Sequence, residues 1–273
     1  MKKSQLIYQY IREQGAVSKQ DIVIGLGLSL PTITQNLNNL AELGLIDTSK
    51  KISNTGGRNA TAYSYIEKAR YAVGLYLNRH HINCVAVDLS GNVISLIRVR
   101  ENFDLNDDNY LRKIGETVEE VKKDTGLSDD RFLGVGIAVQ GLISDDGERV
   151  TYGLTLNFTG VTRADIAKYI PYHNRLFHDS AAAGYAEVWD RNDLDDAFYL
   201  SLSNSVGGAV IVANKIFEGE RRKSGEIGHM TIIPKAGDRC YCGQRGCFDT
   251  VCRANVLAEY ADGDLEKFFE LLE

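Results

Sequence analysis

Residues 132–139 read FLGVGIAV, an apolar run of strand length that ends at Gln140-Gly141. The run contains no charged residue, which is the pattern of a buried strand. On either side of it in the chain, the sequence predicts further strands with amphipathic helices between them. The predicted strands cover 71–77, 82–89, 93–99, 176–179, 198–202 and 208–213, and the predicted helices cover 110–123, 163–169 and 180–189. Strands that alternate with helices indicate an α/β fold.

The first 66 residues have a different pattern, that of three short helices. Apolar residues at helical spacing define the first helix, which ends at Gly15. Ser18 is a good N-cap for the second helix, which ends near Gly27. The third helix starts at Pro31, whose fixed φ suits a first helical position. A helix, a turn and an amide-rich helix indicate a helix-turn-helix.

Strand-like segments follow the third helix. A run beginning at Gly44 and a returning segment at 61–66 are strand-like, and TGGR at 55–58 lies between them. Two strands joined by a flexible segment that bears an arginine predict a β-wing. We therefore expect a winged helix-turn-helix domain over residues 1–66.

Several polar side chains of this domain are suited to DNA. Glutamine and asparagine can form paired hydrogen bonds with adenine in the major groove. Lysine can neutralise phosphates, and an arginine carried on two glycines can enter a narrow minor groove. The alternative is a three-helix bundle whose polar face is merely solvated. The predicted DNA contacts are Thr32, Gln35, Asn38, Asn39, Lys50, Lys51 and Arg58.

The distribution of charge supports two modules with different partners. The chain of 273 residues has a net charge of -6. Residues 1–66 nevertheless carry seven basic and four acidic residues, so the rest of the chain carries all of the net negative charge. No apolar run approaches the length of a membrane span, and the N-terminus lacks the apolar segment of a secretory signal. We therefore expect a cytoplasmic protein.

One histidine and three cysteines form the strongest local signal. GEIGHM at 225–230 is followed by CYCGQRGC at 240–247. One imidazole and three thiolates make a closed tetrahedral set, which is typical of structural Zn²⁺ and leaves no open position for catalysis. The alternative is three reduced cysteines in a loop. The predicted zinc ligands are His229, Cys240, Cys242 and Cys247, whereas Cys84 and Cys252 are excluded.

Asp179 follows directly after a predicted strand and opens a predicted helix. Open α/β sheets position ligand groups at such junctions. A carboxylate there can accept hydrogen bonds or a proton from a hydroxyl of a substrate. The alternative is an aspartate that only caps the helix.

Together these motifs resemble the ROK family of bacterial sugar-responsive repressors and sugar kinases. The resemblance covers nearly the whole chain, with GVGIAVQGLI, LNFTGV and FHDSAAAGYAE between the TGGR and GEIGHM motifs. It implies an actin-like, two-lobed α/β body behind the winged helix-turn-helix, with a sugar bound in the cleft between the lobes. The effector-binding residues implied by the resemblance are Asn157, His178, Asp179, Glu226, His229 and Asp249.

The chain departs from the family pattern in ways that bear on activity. Kinases of the family have an Asp-x-Gly-Gly-Thr-Lys phosphate loop, where this chain reads YLNRHH at 76–81. Bulky side chains there keep the backbone away from a phosphate, and the second phosphate loop is also altered, to SNSVGG at 203–208. His178 stands where the family has asparagine, and Asp249 where it has glutamate. Asp179 matches the catalytic base of the family, but a base without a bound nucleotide lacks a phosphoryl donor.

These features predict a DNA-binding transcriptional regulator that is not an enzyme. We expect a repressor of carbohydrate-utilisation genes, bound to a double-stranded operator as a homodimer or higher homo-oligomer, and released or modulated by a sugar or sugar phosphate. The alternatives are an ATP-dependent sugar kinase that carries a DNA-binding head, and a DNA-binding module with a ligand-free body. The body is expected over residues 71–273, with a second lobe that is incomplete at Glu273 because family members continue past this point.

Overall fold

The computed structural model of the protein describes residues 2–52, 60–189 and 195–272. The chain divides into two compact units. The first contains residues 1–71 with the short segments 87–92 and 128–133, and the second contains residues 72–86, 93–127 and 134–273. Within the described ranges, no helix combines the length and the apolar character that crossing a membrane requires.

The first unit begins with three helices: α1 (Lys3–Gln14), α2 (Lys19–Leu26) and α3 (Leu30–Glu42). Their ends follow from local chemistry. The Ser18 hydroxyl accepts from the Asp21 N–H at 3.2 Å, and the Asp21 carboxylate accepts from the Ser18 N–H at 2.8 Å, so α2 starts with a capping box. Gly27 ends α2 with a φ of 63°, a left-handed conformation that glycine adopts without strain. The sequence predicts Pro31 as the first residue of α3. The helix instead begins one residue earlier, at Leu30, so Pro31 is its second residue.

The three helices share one apolar core. Each contributes residues from the face predicted by its spacing, the segment between α1 and α2 adds Val17, and the segment after α3 adds Ile46. The buried core residues are Ile7, Ile11, Val17, Ile22, Ile33, Leu37, Leu40 and Ile46. The burial pattern of α3 follows from its period of 3.6 residues, which places the core residues on one side and the amides on the other.

Four short strands complete the described part of the first unit: β1 (Ile46–Asp47), β2 (Lys51–Ile52), β3 (Ala60–Thr61) and β4 (Ser64–Tyr65). β1 pairs with β4 and β2 pairs with β3, both antiparallel. The single returning strand predicted over 61–66 is divided into β3 and β4. Between them, Tyr63 exchanges both backbone hydrogen bonds with Val17, so the segment changes partner within a few residues. The predicted TGGR segment lies outside the described residues.

The second unit is built on a five-stranded sheet in the order β11-β8-β5-β6-β7. Its strands are β5 (Tyr71–Leu77), β6 (His81–Asp88), β7 (Val93–Arg100), β8 (Phe132–Val139) and β11 (Asn174–His178). β8 and β11 are parallel neighbours, with Ile137 opposite Leu176. Helix α4 (Asp108–Asp124) buries the predicted stripe of Leu111, Ile114, Val118 and Val121. The α/β class predicted from the alternation of strands and helices is confirmed.

The remaining elements surround the ends of β8 and β11. The chain forms a hairpin of β9 (Leu142–Ile143) and β10 (Val150–Tyr152), then α5 (Arg163–Ile166). Helix α5 ends at Ile166, three residues earlier than predicted, and residues 167–169 form a turn. Helix α6 (Asp179–Val188) packs on a three-stranded sheet of β12 (Ala197–Leu202), β13 (Val206–Val212) and β14 (Lys215–Ile216). The last described elements are α7 (Asp249–Cys252), α8 (Ala254–Glu259) and α9 (Leu265–Glu270).

Candidate functional site

A polar cleft, here called the cleft, lies in the second unit where β8 and β11 end. The two strands are parallel, so their carboxyl ends meet at one edge of the sheet, and the residues that follow them face each other. The start of β13 and the turn at 226–229 form the opposite wall. The polar lining residues are Gln140, Tyr152, Thr155, His178, Asp179, Ser180, Ser201, Ser203, Ser205, Glu226, His229 and Tyr241.

Three ionisable side chains meet at the centre of the cleft. His178 Nε2 lies 3.7 Å from Asp179 Oδ1 and 3.7 Å from Glu226 Oε1. Burial raises the pKa of Asp179, and the neighbouring His178 opposes that shift. Asp179 Oδ1 also accepts from the Ser180 N–H at 2.7 Å, at the start of α6. The residue in the N-cap position of α6 is His178, so Asp179 is free to present its carboxyl group to the cleft.

Tyr76 and Gln140 form a hydrogen-bonded pair close to Asp179. Gln140 Nε2 donates to Tyr76 Oη at 3.2 Å. Burial raises the pKa of Tyr76, and the negative charge of Asp179 raises it further. Tyr76 is therefore a neutral phenol close to the carboxylate. In the sequence Tyr76 belongs only to an altered phosphate loop. Its contact with Gln140 joins segments 64 residues apart, which no local pattern reveals.

The predicted Cys3His set converges beside the cleft. The ligand atoms of His229, Cys240, Cys242 and Cys247 all lie within 4.8 Å of one another. The Cys240 sulfur is 3.6 Å from His229 Nδ1, and the Cys242 and Cys247 sulfurs are 3.7 Å apart. Cys240 and Cys247 are buried. This cluster could hold a metal ion.

Backbone geometry explains why the loop can bring these atoms together. Gly246 has a φ of 70°, and a Cβ there would overlap the carbonyl oxygen of Ile233. Only glycine fits both the conformation and the space. The hydrogen bond from the Ile232 N–H to the Gly246 carbonyl, at 2.8 Å, fixes this close approach. The glycine thus brings Cys247 back towards His229.

His229 belongs to both the cluster and the cleft. Its Nδ1 faces the Cys240 sulfur, whereas its Nε2 lies 3.8 Å from Glu226 Oε2. The Tyr241 ring packs edge-on against the imidazole, with 5.0 Å between ring centroids. Contacts with both the cluster and the cleft therefore fix the orientation of the His229 ring.

Two of the predicted effector-binding residues do not line the cleft. Asn157 is exposed, in a left-handed conformation with a φ of 55°, in a turn close to the lining residue Thr155. Asp249 is fully buried, and its Oδ1 accepts from the Val206 N–H at 2.7 Å. Its Oδ2 lies 3.9 Å from Arg253 Nη1. The structure thus brings together His178, Asp179, Glu226 and His229, and places Asp249 behind β13.

The predicted DNA contacts lie on exposed parts of the first unit. Gln35, Asn38 and Asn39 are exposed on α3, on the side opposite its buried residues. Thr32 is half-buried, and its hydroxyl is 2.9 Å from that of Ser29. The side chains of Lys50 and Lys51 are exposed, and Arg58 lies outside the described residues.

Both excluded cysteines lie apart from the cluster. Cys84 is fully buried in β6, and burial raises its pKa to about 12. Cys252 is the last residue of α7. Within the described residues, neither is part of a group that could hold a metal.

Comparison with known proteins places this site in a family. Residues 72–269 match the model of the ROK family. This range includes the cleft and the Cys3His cluster. The match covers well over half of the chain.

Relatives with established names match over most of the chain. The xylose repressor of Bacillus subtilis (strain 168) is 25% identical over 258 residues, which are 92% of this chain and 66% of that protein. The DNA-binding transcriptional dual regulator NagC of Escherichia coli (strain K12) is 24% identical and is matched over 94% of this chain and 63% of that protein. This chain therefore spans slightly less than two thirds of the length of these relatives.

A solved structure has the same fold. It is a ROK family transcriptional regulator, a homologue of the E. coli MLC protein, with a TM-score of 0.76 and 21% identity. The superposition covers 95% of this chain and 66% of that one. At this level of identity the likeness concerns the fold alone.

Proposed function

This chain belongs to the ROK family, and we propose that it is a DNA-binding transcriptional regulator whose affinity for an operator changes when a sugar or sugar phosphate binds its cleft. The proposal assigns DNA binding to residues 1–66 and effector binding to residues 71–273. It includes action as a repressor of carbohydrate-utilisation genes, a cytoplasmic location and assembly into a homodimer or higher homo-oligomer. The names of the relatives, a xylose repressor and a dual regulator, support it.

The exposed amide face of α3 is the observation that carries the proposal. Gln35, Asn38 and Asn39 are exposed on the side of α3 that faces away from the core of the first unit. Helix-turn-helix proteins place such a second helix in the major groove, where amides can pair with adenine. Lys50 and Lys51, both exposed, would contact phosphates and set the salt dependence of binding. Arg58 is proposed as a minor-groove contact.

The cleft has the chemistry of a polyol site. The carboxyl groups of Asp179 and Glu226 can each accept hydrogen bonds from sugar hydroxyls, and a histidine can donate or accept. His178 lies between the two carboxyl groups at 3.7 Å from each, so it can hold both in place for the ligand. The cleft is narrow, with a free volume of about 50 Å³, so a bound sugar would lie close to these polar side chains. We assign Asn157 and Asp249 to the effector site on the family resemblance only.

The residues near Asp179 favour ligand binding over phosphoryl transfer. Catalysis of phosphoryl transfer depends on positioning and neutralising phosphates. In this chain Tyr76 lies near the end of β5, and Asn78 and Arg79 follow that strand in place of a glycine-rich loop. Arg79 Nη2 donates to the Thr155 carbonyl at 2.7 Å, so its cation is engaged with the protein. Asp179 is retained as a hydroxyl acceptor.

The Cys3His cluster fits Zn²⁺, and we propose that it holds a structural zinc. A tetrahedral zinc with Zn–S of about 2.3 Å and Zn–N of about 2.0–2.1 Å places two sulfurs about 3.8 Å apart and a sulfur about 3.6 Å from a nitrogen. The corresponding separations here are 3.7 Å and 3.6 Å. Zinc would supply a fixed anchor for the loop. His229 Nδ1 would be a ligand, which leaves Nε2 to face Glu226 and the sugar.

The test combines a DNA selection with a ligand screen. A binding site is first selected from random duplexes, and its affinity is then measured by fluorescence anisotropy with and without xylose, glucose, N-acetylglucosamine and their phosphates. We expect one ligand to change the affinity, and Glu226→Gln to remove that response while it preserves DNA binding. Sugar-dependent ATP turnover that is lost in Asp179→Ala would instead support the kinase alternative.

A further inference from the structure

A second cavity, here called the side pocket, lies in the second unit behind the cleft. It has a volume of about 570 Å³, within the range of about 300–1,000 Å³ that is typical of small-molecule sites. The side pocket and the cleft share three lining residues: Leu142, His178 and Glu226. Two of these are the polar side chains at the centre of the cleft, so one ligand could contact both spaces.

Apolar side chains form part of the wall of the side pocket. Ile143 and Leu176 form part of its buried floor, and Phe177 and Tyr185 are about two-fifths exposed, although each is a large aromatic residue. Helix α6 contributes Ala181 and Ala182, whose small side chains leave the space open. The Tyr185 ring packs against Trp189, with 5.6 Å between ring centroids, and both Phe177 and Tyr185 keep exposed surface that an apolar ligand group could cover.

The opposite wall is fixed by close backbone packing. A Cβ on Gly225 would overlap the carbonyl oxygen of Gly208, so the segment before Glu226 lies directly on β13. The Ser224 hydroxyl donates to the carbonyl of Phe217, which closes the loop after β14. The wall therefore positions Glu226 between the side pocket and the cleft.

Several charged residues of the side pocket form ion pairs with one another. Arg222 lies 3.3 Å from the Asp145 carboxylate and 3.2 Å from that of Glu218, and it donates to the Ser144 carbonyl at 3.0 Å. Arg163 pairs with Glu148 at 2.9 Å. Because these side chains neutralise one another, they do not require a charged ligand. The same ion pairs connect the two edges of the opening.

We propose that the side pocket binds the apolar aglycone of a glycoside whose sugar occupies the cleft. The inference rests on the proposed function, because it takes the cleft as the sugar site. His178 and Glu226 would contact the sugar at the boundary of the two spaces, and the aglycone would lie against Phe177 and Tyr185. The polar groups lie in the narrow cleft, whereas the open volume and the apolar walls lie in the side pocket. A ligand that joins a sugar to an aryl group matches both.

The experiment compares matched methyl and phenyl β-D-glycosides of xylose, glucose and N-acetylglucosamine by isothermal titration calorimetry on the whole chain. For the sugar that binds, we expect the phenyl glycoside to bind at least about tenfold more tightly than the methyl glycoside. Ala182→Phe fills the side pocket and should remove this advantage without weakening the methyl glycoside. Ala186→Phe is the matched control, because Ala186 is exposed on the same helix and lines neither space.

A second variant guards against misfolding of Ala182→Phe. Phe177→Ser removes one exposed aromatic wall and should also reduce the phenyl advantage. Equal affinity for methyl and phenyl glycosides would overturn the inference but leave the proposed function intact. A phenyl advantage that persists in both variants would overturn it as well. Absence of binding by every glycoside would contradict both the inference and the effector part of the proposed function.

Discussion

Asp179 is an acidic residue whose surroundings oppose its charge. Burial raises its pKa, so ionisation is less favourable in the folded protein than in the unfolded chain. The contribution of Asp179 to stability is therefore fully present below its unfolded pKa and is lost as the pH rises through the folded pKa. A ligand hydroxyl that donates to this carboxylate would offset the loss.

We predict that Asp179→Asn is more stable than the wild type at pH 7 and that the difference shrinks as the pH falls towards 4. The variant has no charge to bury at position 179, so its free energy of unfolding lacks the pH dependence that Asp179 causes. Urea unfolding at several pH values measures the effect. If the stability of Asp179→Asn relative to the wild type instead fell between pH 4 and pH 7, burial would not dominate the pKa of Asp179.

Cys242 and Cys252 provide a matched pair for the metal cluster. Both side chains are partly exposed, but only Cys242 belongs to the group whose ligand atoms lie within 4.8 Å of one another. We predict one zinc per chain in the wild type and in Cys252→Ser, and loss of zinc in Cys242→Ser. Elemental analysis by mass spectrometry after gel filtration measures the content. Retention of zinc by Cys242→Ser together with its loss from Cys252→Ser would refute the ligand set.

Helix α3 has two faces with separate roles, and neighbouring substitutions can separate them. Leu37 is 1% exposed, so Leu37→Ala should destabilise the first unit by about 2–5 kcal/mol. Gln35 is exposed, so Gln35→Ala should leave stability unchanged and weaken DNA binding by about 1–3 kcal/mol at one base position. Chemical unfolding and binding to single-base operator variants measure the two effects. Equal loss of stability in both variants would contradict this division.

At the scale of elements, the sequence predicts best where a local period decides the structure. The helices α1, α3 and α4 follow from the spacing of their apolar residues, and β8 follows from its uninterrupted apolar run. The division between β3 and β4 could not be predicted, because it depends on Val17, about 45 residues earlier in the chain. A change of strand partner leaves no periodic signal in the strand itself.

The same limit applies to the site. Asp179 is predicted because the junction of a strand and a helix positions ligand groups, and the Cys3His set because its ligands lie close in sequence. His178 is implied only by the family resemblance. The burial of Asp249 behind β13 and the contact of Gln140 with Tyr76 depend on packing between distant segments. The side pocket is likewise invisible in the sequence, because its walls come from five separate segments.

For the whole molecule, the proposal assigns metal and DNA to different parts of the chain. The cluster lies at residues 229–247, and the proposed DNA contacts all lie before residue 60. We predict that a strong zinc chelator abolishes the response to the sugar at concentrations that leave operator binding unchanged. Anisotropy titrations with and without chelator measure both properties in one sample. Simultaneous loss of the two would show that the metal supports the DNA-binding part as well.

The central claim is that one chain couples a sugar in the cleft to DNA bound by α3. The most direct measurement is the affinity for a selected operator at rising concentrations of the sugar, in the wild type and in Glu226→Gln. The proposed function predicts a saturable change in operator affinity in the wild type, and unchanged operator affinity at every sugar concentration in the variant. Equal affinity for operator and random DNA, or an operator affinity that no sugar alters, would contradict it.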